Sequence, residues 1–121
     1  MQENHYKILA FRIIKINCII DILPGPITIS TEDTLSFRKP SDPSKKMGLL
    51  KVETQLTSDD TDEFKVEIIS ETIFQFDSIP DDFDKEMRNK CYPMAKERIH
   101  TAIKEITATM GIKPLDLTSA Q

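Results

Sequence analysis

The sequence predicts an α+β domain in which four strands are followed by one long C-terminal helix that packs on one face of their sheet. Two observations carry this reading. First, Cys91, Ala95, Ile99, Ala102, Ile103, Ile106 and Met110 recur at steps of three and four. That spacing lays one apolar stripe along a helix and leaves Lys96, Glu97, His100, Lys104 and Glu105 on the wet side. A lone helix of this kind is not stable, so a flat apolar surface must receive the stripe. Second, the residues before it alternate with the period of strands. Leu50, Val52, Thr54 and Leu56 alternate with Lys51, Glu53, Gln55 and Thr57. Phe64, Val66, Ile68, Thr72, Phe74 and Phe76 alternate with Lys65, Glu67, Glu71 and Gln75. This is the pattern of half-buried strands.

Taken in order, the first element is expected over residues 6–23. Its richness in isoleucine favours strand over helix. Tyr6, Ile8, Ala10, Ile14, Ile16, Cys18, Ile20 and Ile22 fall on even positions, and Leu9, Phe11, Ile13, Ile19 and Leu23 on odd ones. Apolar residues of both parities imply that both faces are covered. A single helix covers one face of a small sheet, so the other must meet a second subunit or a ligand. Pro24-Gly25-Pro26 is a turn. Ile27, Ile29, Leu35 and Phe37 then mark a second half-buried strand. Residues 38–46 form a polar loop with prolines at 40 and 43. The two strands described above come third and fourth, joined as a hairpin through the carboxylate-rich residues 58–62. Asp81 is the expected N-cap of the helical region, with Asp82 and Asp84 near the positive helix end. The helix should bend or restart near Pro93 and run to Met110. Gly111 suits a left-handed helix end, and Pro114 forbids continuation.

The composition fits one soluble domain spanning residues 1–121. Charged residues make up 30% and the hydrophobic set 39%. A net charge of −4 argues against general nucleic-acid binding, which rests on clustered Lys and Arg. Cys18 and Cys91 lack metal-ligand spacing and sit in apolar patterns, which suggests reduced core thiols and a cytosolic location. No secretory leader is evident, and Arg12, Lys15, Asn17 and Asp21 interrupt the apolar run that a membrane span would need.

No enzyme is expected. His5 and His100 are the only histidines, and the three glycines stand apart, so neither a metal set nor a phosphate-binding loop can be assembled. Asp59, Asp60 and Asp62 read as a solvated turn rather than a calcium loop. No cofactor is implied. Glu67 and Glu71 read first as an ordinary wet sheet face and second as an acidic docking patch. The surplus of apolar residues beyond what one helix covers points to an interaction surface.

The strand end Glu67-x5-Ile73-Phe74, the helix start Tyr92-Pro93-x-Ala95-x-Glu97-x-Ile99 and the exit Pro114-Leu115-Asp116-Leu117 resemble those of the SecB protein-export chaperones. The likeness is nearer to SecB-like proteins, including toxin–antitoxin-associated forms, than to the proteobacterial type. It implies a four-stranded antiparallel sheet with the helix on one face and a homotetramer built as a dimer of dimers. It also implies ATP-independent binding of unfolded polypeptides along apolar grooves, with delivery to the SecA motor in the export type. Groove candidates are Phe11, Ile13, Ile27, Ile29, Phe37, Ile69, Ile73 and Phe74. Asp21 and Glu67 match acidic positions at which the family docks SecA. A third such position is Asn17 here, and Lys65 stands where the family has leucine. The expected function is a cytosolic holdase for non-native proteins, without nucleic-acid binding or membrane insertion. The alternatives are a dedicated chaperone of one partner, such as an antitoxin, and a scaffolding protein that kept the fold.

Overall fold

The computed structural model describes residues 6–21, 28–40, 42–59 and 62–109. Two compact units divide between Ile79 and Pro80. The first holds β1 (Tyr6–Ile20), β2 (Ile29–Arg38), β3 (Met47–Ser58) and β4 (Phe64–Phe76). They form one sheet in the order β1-β4-β3-β2, with every neighbouring pair antiparallel. β3 and β4 are the central strands. On one face their side chains Leu50, Val52, Leu56, Phe64, Val66, Ile68, Phe74 and Phe76 are buried, as the alternation predicts. Thr54, Ser70 and Thr72 share that face and are buried too.

β1 departs from the simple reading of its sequence. Its ladder with β4 shifts between Ile8 and Ala10, and again between Ile13 and Lys15. Leu9 and Ile14 are therefore extra residues, each of which reverses the parity of the strand beyond it. Residues directly opposite in an antiparallel ladder share a face. Tyr6, Ile8, Phe11, Ile13, Ile16, Cys18 and Ile20 thus lie on the side of β4's buried residues, opposite Phe76, Phe74, Thr72, Ser70, Ile68, Val66 and Phe64. Lys7, Ala10, Arg12, Lys15, Asn17 and Ile19 take the other side. The expectation of two apolar faces is corrected: two bulges turn a mixed run into one apolar and one mostly polar face.

The polar loop before β3 is shaped by one carboxylate. Asp42 accepts hydrogen bonds from the Ser44 N–H at 3.0 Å and the Ser44 hydroxyl at 2.7 Å. These bonds close the 3-10 turn Pro43–Lys45 and hold the Asp42 carboxyl below its ordinary pKa. Lys46 takes the left-handed conformation (φ 45), and its carbonyl accepts the Phe76 N–H at 2.9 Å.

The second unit is helical. Asp82, not Asp81, is the N-cap: its carboxylate accepts the Lys85 N–H at 3.3 Å. A short α1 (Phe83–Glu86) passes through a wide π turn (Met87–Cys91) into α2 (Tyr92–Thr109). The expected restart near Pro93 takes this form. Proline has no N–H to offer the carbonyl four residues back, and the turn before it widens instead. The Tyr92 N–H donates to the Met87 carbonyl, a step of five. Cys91, Ala95, Ile99 and Ile103 are buried, as the stripe predicts. Thr107 is buried as well, its hydroxyl donating to the Ile103 carbonyl at 2.9 Å. Met110 lies outside the described residues.

Truncation of a fully covered side chain and of a half-covered one should separate clearly. Leu50→Ala should lower the unfolding free energy by about 2–5 kcal/mol. Ile19→Ala should change it by less than about 1 kcal/mol. Urea denaturation followed by circular dichroism measures both, and equal losses would contradict the exposure of β1.

Candidate polypeptide-binding surface

The exposed large apolar side chains among the described residues all belong to β1: Leu9 at 46%, Ile14 at 46%, Ile16 at 48% and Ile19 at 50% exposure. Leu9 and Ile14 are the two bulged residues. Among the described residues β1 lies at an edge of the sheet, with a partner strand on one side of its backbone only. Half-exposed aliphatic side chains along 15 residues of edge strand offer an extended segment both apolar contacts and main-chain partners. The sequence reading had these residues in its first strand but not among its groove candidates. The missed signal was the break in alternation at Leu9 and Ile14.

The structure does not gather the groove candidates onto one surface. Phe11 and Ile13 are half-buried on β1, and Ile29 and Phe37 half-buried on β2. All four face the side that is buried on β3 and β4. β1 and β2 are the two edges, three strand spacings apart, or about 14 Å. Ile69 and Ile73 are half-buried on the opposite face. Phe74 shares the face of the first four, but it is fully buried there, opposite Ile8 of β1. Ile27 lies outside the described residues.

The acidic candidates are also separated. Glu67 stands between Asn17 on β1 and Gln55 on β3. Its carboxylate accepts the Asn17 amide at 3.4 Å and the Gln55 amide at 3.4 Å. Asp21 is exposed at the far end of β1, where its N–H donates to the Glu63 carbonyl at 2.9 Å. Four residue steps, about 13 Å, part it from Asn17 along the strand. Glu71, the next acid on the Glu67 face, is paired with Arg12, whose Nε donates to Glu71 Oε1 at 2.9 Å. This face therefore mixes charges instead of presenting a bare acidic patch. A depression of about 40 Å³ beside Glu67 has room for a water but not for a ligand.

Among the described residues, no group of three or more His, Cys, Asp or Glu is placed to hold a metal ion. Among the same residues, no helix is long and apolar enough to cross a membrane.

The fold can be set beside known proteins. No family model matches the sequence, and no curated protein does. Solved structures do match. A SecB-like chaperone, Mycobacterium tuberculosis Rv1957 in complex with a ChAD peptide from the Rv1956 HigA1 antitoxin, is similar at a TM-score of 0.70. The match covers 93% of this chain and 85% of that one at 14% identity. A protein of unknown function from Streptococcus agalactiae is similar at a TM-score of 0.51, over 96% of this chain and 98% of that one, at 13% identity. The four-stranded antiparallel sheet with one long C-terminal helix is a SecB-like fold.

The two thiols should report on their surroundings. Burial, with the nearby Glu86 carboxylate, pushes the Cys91 thiol up to about 12. Burial also raises that of the half-buried Cys18. Native protein at pH 8 should therefore take up iodoacetamide at Cys18 long before Cys91, and urea should expose both; mass mapping of the labelled peptides checks the order. Unfolded Cys91 loses its proton near 9.0, whereas the folded thiol keeps it to about 12. Its contribution to stability is thus whole below pH 9 and declines toward pH 12.

Proposed function

We propose that this chain is an ATP-independent SecB-like holdase that captures extended segments of non-native polypeptides in the cytoplasm. The observation that carries the reading is that Leu9, Ile14, Ile16 and Ile19 of one edge strand are all about half exposed. The SecB-like fold supports it. Burial of apolar surface contributes about 25 cal/mol per Å² before ordering costs. Several shallow contacts along a strand suit clients of varied sequence better than one shaped pocket. Phe11 and Ile13 extend the same strand's apolar side, and Ile29, Phe37, Ile69 and Ile73 are the further client contacts we propose. Copies of the chain associate as a dimer of dimers, which shelters part of this surface between clients. Asp21 and Glu67 are the acids we propose for docking a basic segment of the SecA motor.

A second reading has an observation of its own. The similar M. tuberculosis chaperone was solved with an antitoxin peptide. In that reading this chain serves one dedicated partner, and a panel of unrelated unfolded proteins separates the two. A general holdase suppresses aggregation of most of them; a dedicated one ignores most.

The main test is light scattering of a chemically denatured model protein diluted with and without this chain, run beside mass measurement in solution. The expected result is an oligomer that suppresses scattering near stoichiometric amounts. The double variant Ile14→Ser/Ile19→Ser should lose most of that suppression while keeping its circular dichroism spectrum. A monomer without effect on scattering removes the proposal. Separately, Glu67→Lys should weaken binding to SecA without unfolding the domain, and unchanged binding would place the motor's contact elsewhere.

A further inference from the structure

The sheet is electrically polarised along its strands. The start of β1, the end of β2 and the loop into β3 meet at one end, since Lys7 and Met47 both lie opposite Gln75 and Arg38 lies opposite Leu49. Lys7, Arg38, Lys39, Lys45 and Lys46 gather there against Asp42 and Asp77. Asp42 is bonded to Ser44. At the other end stand Asp21, Asp59, Asp62 and Glu63, with Lys65 beside them. β4, at 13 residues, is about 40 Å long, several times the ~8 Å screening length at physiological salt. The acidic end therefore does not cancel the basic one, and the overall charge of −4 does not describe what a ligand meets there.

The basic end also has shape. A cleft of about 420 Å³ is lined by Tyr6, Lys7, Lys46, Gln75, Phe76 and Asp77. Tyr6 and Phe76 meet edge to face in its wall, with ring centroids 5.4 Å apart. Lys7 and Lys46 are exposed on either side of Gln75. The left-handed turn at Lys46, fixed by the Phe76 N–H bond, holds its backbone in place.

We infer that this cleft binds carboxylate side chains of a polypeptide segment, and so favours clients in which acidic residues flank an apolar stretch. The inference rests on the reading of β1 as a polypeptide-binding strand. Lys7 is two residues from Leu9, the first of the exposed apolar residues. A segment laid along the edge of β1 therefore reaches the Lys7 ammonium at the start of that strand. Long polyanions fit less well. A nucleic acid or an anionic bilayer carries its charge over a distance that runs onto the acidic end, whereas a few carboxylates satisfy Lys7 and Lys46 locally.

The test uses fluorescent peptides that share one apolar core and carry flanks of Asp/Glu or of Ser. Their binding to the full chain is followed by anisotropy at low and high salt. The acid-flanked peptide should bind about fivefold tighter at low salt, as expected for two exposed ion pairs, and the advantage should vanish at high salt. Lys7→Gln/Lys46→Asn should abolish the advantage without changing affinity for the Ser-flanked peptide; asparagine tolerates the left-handed backbone at 46. Thermal melts confirm that the variant folds. Equal binding of both peptides overturns the inference and leaves the holdase reading standing. Failure of both peptides to bind overturns both readings. Tighter binding of single-stranded RNA or phosphatidylserine vesicles through the same lysines overturns the assignment to polypeptide.

Discussion

The structure depends on the register between β1 and β4. A regular ladder would carry Arg12 to the same side as Ile8, onto the face that is covered along β4, and send Phe11 and Ile13 to the polar side. Burying an unpaired guanidinium costs several kcal/mol, more than a small domain can spare. The extra residue at Leu9 removes the conflict. Arg12 emerges on the polar face and reaches Glu71, while Phe11 and Ile13 return to the apolar one. The extra residue at Ile14 repeats the operation, placing Lys15 outside and Ile16 within the apolar set. The bulges thus secure the fold and leave two large side chains, Leu9 and Ile14, about half uncovered on the sheet's edge. The proposed function draws on that by-product of folding.

How much of the fold was legible in the sequence depends on how local each signal is. The alternation of β3 and β4 and the stripe of α2 are intrinsic periods, and the buried residues obey them: Leu50, Val52 and Leu56, then Ala95, Ile99 and Ile103. The faces of β1 were not legible, because a bulge needs no special residue and shows only as a lapse of alternation. Leucine and isoleucine occupy the bulges, so no glycine marks them. Asp81 and Asp82 are chemically equivalent as caps, and only the path of the chain selects Asp82. Among the candidate site residues, Phe11, Ile13, Ile29 and Phe37 share a face, but Phe74 proved wholly buried and Ile69 and Ile73 point away. Their scatter arose from choosing residues by type along strands whose relative register was unknown.

Electrostatics divides the polar face by similar rules. The row through Asn17, Glu67 and Gln55 places one acid between two amides, and the row through Arg12, Glu71 and Lys51 places one between cations. An exposed ion pair such as Arg12–Glu71 contributes about 0–1 kcal/mol. These rows therefore position side chains more than they stabilise the sheet. Asn17 matters for a different reason. An acid at that position would repel Glu67, whereas its amide donates to it. The middle of the face thus carries charges of both signs, and Glu67 keeps its charge between two neutral amides.

The two edges of the sheet are not equivalent, and the difference bears on the proposed function. β2 carries Ser30, Thr31, Glu32, Thr34 and Ser36, all exposed, and turns Asp33 toward the covered face opposite Thr54. Hydrophilic side chains and an inward-pointing charge discourage a second chain from pairing there. β1 instead leaves four large apolar residues, Leu9, Ile14, Ile16 and Ile19, about half uncovered. Its bulges interrupt the regular spacing that a long continuous ladder would need. An incoming segment therefore gains more from side-chain contact with Leu9, Ile14, Ile16 and Ile19 than from an unbroken row of main-chain bonds. Contacts of that kind are weak one by one and indifferent to sequence order. They suit the proposed holdase, since they would admit many unrelated extended chains and release them without a chemical step.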